Sequence, residues 1–99
     1  MPFRLRFTKE ASLELLSLKD LPALAKHFKA VRKALGYLEV NVRHPSLKTH
    51  KYDSFKGLNG ADVFEAYAEN NAPGAYRIFW QYGPEQQALT VLGIEVHPD

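Results

Sequence analysis

Arg77 is the one Lys or Arg side chain between residues 58 and 99. It lies in a stretch, 75–82, where Tyr76, Ile78, Trp80 and Tyr82 alternate with Arg77, Phe79 and Gln81. That period of two is the mark of a half-buried strand. A second such stretch, 88–97, alternates Leu92, Ile94 and Val96 with Gly93, Glu95 and His97. If helices cover Ile78, Trp80, Leu92 and Ile94, then Arg77, Gln81, Glu95 and His97 share the opposite face. By the same rule Phe64, Ala66 and Ala68 point inward, while Glu65 and Tyr67 join the Arg77 face. A guanidinium, carboxylates, an imidazole and aromatic rings on one surface suit a phosphodiester. Arg77 can hold a phosphate through two parallel hydrogen bonds, and His97 carries the side chain best suited to proton transfer near neutral pH. The same residues also describe a solvated sheet face on which Arg77 pairs with Glu65 across the strands.

A second concentration of reactive types is His44-Pro45-Ser46-Leu47-Lys48-Thr49-His50-Lys51-Tyr52. Two histidines with five residues between them and no third ligand nearby are a poor zinc site. A basic, aromatic loop fits a nucleic-acid strand better. The alternative is a polar connection whose Leu47 tucks into the core. There is no Gly-rich phosphate loop and no Ser-His-Asp pattern, so neither a metal nor another cofactor is expected.

These groups need a scaffold, and the rest of the chain supplies one. Phe3, Leu5 and Phe7 alternate with Arg4 and Arg6, which predicts a short first strand. Thr8 suits a helix N-cap, with Glu10 in the first turn. Ala11, Leu15 and Leu18 recur at helical spacing, giving a helix over about 9–19. Asp20 and Pro22 mark a stop and restart. Leu21, Leu24, Ala25, Phe28, Val31, Leu35 and Leu38 form one apolar stripe of a second helix, over about 21–41. Lys26, Lys29 and Lys33 lie on another face of it. Residues 44–60 read as an extended or looped segment, and strands follow near 61–69, 75–82 and 88–97. The expected fold class is α+β, ordered β-α-α-β-β-β, with two helices packed on a mainly antiparallel four-stranded sheet.

With 99 residues, one domain spanning 1–99 is expected. No cysteine is present, which excludes disulfides and thiolate chemistry and fits a reducing compartment. No apolar run approaches the roughly 20 residues of a membrane span, and the N-terminus has no signal-peptide pattern. A cytoplasmic protein with no membrane partner is therefore expected. The net charge of +2 is unevenly spread. Residues 1–57 hold 12 Lys/Arg against 5 Asp/Glu, a net +7, and residues 58–99 carry a net −5. A basic half can follow a phosphate backbone, although a solvated helix surface has the same composition.

Three stretches together carry a resemblance to a known family. They are Leu35-Gly36-Tyr37-Leu38-Glu39-Val40-Asn41-Val42-Arg43-His44-Pro45-Ser46-Leu47, then Val63-Phe64-Glu65, then Ala75-Tyr76-Arg77-Ile78-Phe79-Trp80. With the closing apolar strand ending in His97, they resemble the RelE/ParE superfamily of toxins from type II toxin–antitoxin systems, over nearly the whole chain. The resemblance implies a toxin that cleaves messenger RNA on the ribosome and is held inactive by a cognate antitoxin protein. In such a reaction the 2′-hydroxyl attacks the adjacent phosphate without a metal. It further implies Arg77 as the phosphate-binding arginine and His97 as the last-strand proton-transfer group. Lys48, His50 and Lys51 would supply further basic groups, with Lys48, Lys51 and Arg77 touching RNA, and Glu65 occupies a strand position that can carry a polar catalytic group. ParE-like members instead inhibit DNA gyrase without cleaving RNA, and the shared fold serves both.

Overall fold

In the N-terminal strand β1 (Arg4–Phe7) the two arginines are exposed while Leu5 and Phe7 are half-buried, as the alternation requires. This computed structural model describes residues 2–70 and 74–96. Thr8 caps the helix α1 (Lys9–Asp20), its Oγ1 accepting from the Ala11 N–H at 3.1 Å. A short 3-10 turn over Pro22–Leu24 leads into α2 (Ala25–Val40). The restart at Pro22 therefore yields two pieces where one helix over 21–41 was expected. Leu21, counted in the apolar stripe, is 51% exposed because it lies in the break between the pieces. Ala25 is exposed too, and Leu24 and Phe28 are half-buried, so the stripe is buried only along its second half, where Val31, Leu35 and Leu38 are joined by Ala34.

Among the described residues, five strands form one sheet in the order β1-β5-β4-β3-β2. β1 runs parallel to β5 (Ala88–Val96). β5 is antiparallel to β4 (Tyr76–Tyr82), β4 to β3 (Val63–Tyr67), and β3 to β2 (His50–Tyr52). The fifth strand is β2, lying inside the segment read as extended or looped. It is three residues long, too short to show a period. Both helices cover one face, where Leu18, Val31, Leu35 and Leu38 meet Ala66, Ile78, Trp80, Leu89, Val91 and Ile94. Burial of each large apolar side chain here contributes about 1.5–3 kcal/mol. Among the described residues, no helix is long and apolar enough to cross a membrane.

One expected position is overturned by a β-bulge. Phe79 pairs with Gly93, but Trp80 pairs with Val91, so Leu92 is the extra residue. Leu92 consequently joins Phe79 and Gly93 on the face away from the helices, and Leu89 and Val91 take the inward places. The cause is at the β1 edge. β1 ends at Phe7 opposite Val91, and the start of α1 then takes over from the missing strand. Thr8 N–H donates to the Val91 carbonyl (3.1 Å), Thr8 Oγ1–H donates to the Leu92 carbonyl (3.2 Å), and the Ile94 N–H donates to Glu14 Oε1 (2.8 Å).

Candidate functional site

The face turned away from the helices is built from cross-strand rows. One row runs His50, Glu65, Phe79, Gly93; the next runs Tyr67, Arg77, Glu95. The expected grouping of Arg77, Gln81 and Glu95 with Glu65 and Tyr67 is thus present in the register. His97, the fourth member expected on this face, lies outside the described residues.

Glu65 is 1% exposed, and its Oε1 stands 2.7 Å from Nε2 of His50. A buried carboxylate needs such a partner to offset lost hydration. His50 remains half exposed, and its Nδ1 lies 3.0 Å from the Lys48 carbonyl oxygen. Both ring nitrogens of His50 thus face oxygen acceptors, Nδ1 the Lys48 carbonyl and Nε2 the Glu65 carboxylate. Lys48 reaches the face because its backbone is left-handed, φ 46°, at the end of the turn Pro45–Leu47. That turn is fixed by Leu47, fully buried, and by His44. Nδ1 of His44 accepts from the Ser46 N–H at 3.1 Å while its ring stacks on Tyr37 with centroids 3.8 Å apart. His44 is therefore a structural residue.

Arg77 is 1% exposed, which the alternating pattern did not suggest. Its Cζ lies 3.8 Å from the centroid of the Tyr67 ring, a close cation–π contact, and Nη1 donates to the Tyr76 carbonyl at 3.2 Å. Lys48 Nζ is 6.0 Å from the same ring, and the His50 ring meets it edge-on at 6.0 Å. Tyr67 thus joins the two cations and the imidazole into one cluster with Glu65. Its spacing, two residues on from Glu65 along the same strand, puts it on this face, but that spacing alone does not mark it as a member of the site. Directly across from Glu65 stand His50 and Phe79, and directly across from Arg77 stand Tyr67 and Glu95.

Lys51 does not join the cluster. It pairs with Phe64, whose ring lies on the helix side, so it points away from His50 and Glu65. Its Nζ sits 3.7 Å from Asp62 and 3.9 Å from Asp53. Asp62 is held below the usual carboxylate range, first by its hydrogen bond from Lys56 and then by the charges of Lys51 and Lys56. Lys51 instead borders an open cavity of about 430 Å³ at the β2 edge, with Arg43, Lys48 and His50.

The remaining polar member, Gln81, is buried and braces the loop before β3. Its Oε1 accepts from the Leu58 N–H at 2.8 Å. Gly57 is needed beside it, since a Cβ there would stand 2.2 Å from that oxygen.

A helical hairpin on one face of a mixed sheet, with a buried arginine and a histidine–carboxylate pair on the other, defines the arrangement. No family model matches the sequence, and no curated protein matches it significantly. Solved structures do match the fold, and it is that of the RelE/ParE toxins. The chain is similar to one in the archaeal RelE–RelB complex from Pyrococcus horikoshii OT3, with 18% identity and a TM-score of 0.64, over 97% of this chain and 96% of that one. It is similar to the YoeB/ParE toxin from Agrobacterium tumefaciens, with 12% identity and a TM-score of 0.71, over 97% of this chain and 100% of that one. A metal-bound toxin from Helicobacter pylori matches at 19% identity and a TM-score of 0.62, over 98% of this chain and 96% of that one.

Proposed function

We propose that this protein is the toxin of a toxin–antitoxin module and acts as a ribosome-dependent messenger RNA endoribonuclease. The observation that carries the reading is the convergence of Arg77 and Lys48 on Tyr67, beside the Glu65–His50 pair, on the face of a RelE/ParE fold turned away from the helices. In the reaction the 2′-hydroxyl oxygen attacks the adjacent phosphorus and the bond to the 5′-oxygen breaks, leaving a 2′,3′-cyclic phosphate and a 5′-hydroxyl. One proton leaves the 2′-hydroxyl and one arrives at the 5′-oxygen. His50 with Glu65 suits one of these transfers, and His97 suits the other. Arg77 and Lys48 supply positive charge for the pentacovalent phosphate. Arg77 is covered by Tyr67, so rotation of that ring would bring the guanidinium to a phosphate. A cognate antitoxin, with an acidic segment that orders on binding, would cover the basic half of the chain. The RelE–RelB complex among the fold relatives supports such a partner.

The test is single-turnover cleavage of messenger RNA on programmed ribosomes. Cuts at a fixed codon position are expected, with a loss of about 10²–10³ in rate for Arg77→Ala. Because Arg77 is buried, a thermal melt must accompany the rate so that unfolding is not counted as lost chemistry. The depth of Arg77 favours a second reading, a ParE-like inhibitor of DNA gyrase that uses the face for binding only. No cleavage by the wild type together with inhibited supercoiling would replace the first reading with the second.

A further inference from the structure

Beside the cluster, the same face holds a cavity of about 390 Å³ lined by Tyr52, Phe55, Phe79, Leu92, Gly93 and Glu95. None of these residues has a part in the proton transfers or the phosphate contact. Three aromatic rings form its wall. Tyr52 meets Phe55 and Phe79 edge-on at 5.2 and 5.0 Å, and Phe55 and Phe79 are 6.1 Å apart. Phe55 is 46% exposed, which leaves ring surface free to stack. Two features of β5 make the cavity. The bulge turns Leu92 out of the helix-side core and onto this face. Gly93 then leaves the floor open, and a Cβ at that position would stand 2.8 Å from Oε2 of Glu95, so the Glu95 carboxylate folds back over the glycine.

We propose that this cavity is a nucleobase subsite selective for guanine. The inference rests on the reading of the adjacent cluster as a phosphodiester site. Glu95 stands directly across from Arg77, and Phe79 follows Arg77 by two residues, about 7 Å along the strand. That is the scale of the step from a phosphate to its own base. Charge decides which part of a nucleotide enters. Glu95 lines the cavity, and Glu14 comes within 3.7 Å of the space above Gly93. Two carboxylates repel a phosphate and direct it to Arg77, while an uncharged aromatic base can enter. Single-stranded RNA is read in this way, by stacking on aromatic side chains and hydrogen bonds to the base edge. An ionised carboxylate only accepts. Guanine alone of the four bases presents two adjacent donors, N1–H and the 2-amino group, to match both oxygens of Glu95. Adenine and cytosine each set an acceptor beside their amino group, and uracil sets its one N–H between two carbonyls.

The full chain is titrated with GMP, IMP, AMP, CMP and UMP and followed by NMR at the Gly93 amide and the Leu92 methyls. GMP is expected to bind about tenfold more tightly than AMP, CMP or UMP. IMP, which keeps N1–H and lacks the amino group, should fall between. Glu95→Gln should level the preference, and Phe55→Ala should weaken every nucleotide by about fivefold or more. Inorganic phosphate should leave Gly93 and Leu92 unmoved. Equal affinity for all nucleotides, a guanine preference that survives Glu95→Gln, or signals at Gly93 and Leu92 that GMP does not move would each overturn the proposal. Mononucleotides are not cleaved, so the two readings separate. Guanine preference without ribosomal cleavage removes the nuclease reading, and cleavage without base preference removes the subsite.

Discussion

Replacing His50 by alanine tests the physical core of the site. The imidazole Nε2 is 2.7 Å from a carboxylate oxygen of Glu65, and Glu65 is almost wholly out of water. A hydrogen bond to a charged group contributes roughly 1.5–3 kcal/mol, and a buried charge stripped of its partner can lose more. Here the vacated space opens to solvent, because the His50 side chain is 47% exposed. Water entering there offsets part of the loss, so the net cost should be about 1–2 kcal/mol. For a chain of this size that is a fall of roughly 5–15 °C in Tm. The pairing is isolated by a double-mutant cycle with Glu65→Gln, measured by urea unfolding. A coupling of about 1 kcal/mol or more is expected between contacting residues in one hydrogen-bonded network. If the two substitutions add to within about 0.5 kcal/mol, His50 is not what holds the Glu65 carboxylate, and its proposed proton-transfer role loses its geometric basis. In the ribosome assay the same His50→Ala variant should be slower by about 10²–10⁴ if the imidazole transfers a proton.

Two further outcomes follow from the β5 edge and the loop before β3. Burial holds the Glu14 carboxyl above its ordinary value, with the nearby Glu95 and Glu10 charges adding to it and the Ile94 N–H opposing. A raised folded value means that Glu14 stabilises the fold at low pH and that this contribution is lost as pH rises through that value. Glu14→Gln, which keeps a carbonyl for the Ile94 N–H, should therefore melt higher than wild type at pH 7. The gap should close by about pH 3, below the ordinary glutamate pKa of roughly 4.3, and a larger advantage at low pH would contradict the burial account. Gly57→Ala should force Gln81 off the Leu58 N–H, since the added Cβ falls 2.2 Å from Oε1. A loss of about 1–2 kcal/mol in urea unfolding is expected, and an unchanged midpoint would mean that Gln81 has room to move.

Where the sequence pattern was periodic, the fold could be read from it. Thr8 as a cap, α1, the Val31 to Leu38 stripe and strands β1, β3 and β4 all follow from local spacing, and so does the shared face of Arg77, Glu65 and Tyr67. The failures have one physical source, which is that tertiary contacts outrank local period. Nothing in Thr90-Val91-Leu92-Gly93-Ile94 marks a bulge. Its position is set by where β1 stops and by side chains of Thr8 and Glu14 about 80 residues earlier in the chain. β2 has three residues and becomes a strand because β3 offers it an edge. Lys51 matches Lys48 in type and loop position, yet the pleat sends it to the other side of the sheet. The depth of Arg77 could not be read from spacing either, because it depends on the Tyr67 ring folding over the guanidinium.

That depth bears on how the site would work. An exposed arginine meets a phosphate in competition with water and salt. An arginine held against an aromatic ring and tied to the Tyr76 carbonyl has already lost much of its hydration and its rotamer freedom. If Tyr67 turns aside, a phosphate arriving at Arg77 meets a charge whose ordering is complete before binding, where its electrostatic effect is larger than in water. The same ring contacts Lys48 and His50, so its rotation would uncover or rearrange three polar groups together. Tyr67→Phe keeps the ring and its quadrupole, whereas Tyr67→Ala removes the cover from Arg77 permanently. On this account the two variants separate the hydroxyl from the ring. Only the alanine should lower stability, by the buried ring contact, and raise the accessibility of Arg77 to a guanidinium-modifying reagent such as phenylglyoxal. Equal reactivity of Arg77 in wild type and Tyr67→Ala would mean that the ring is not the gate.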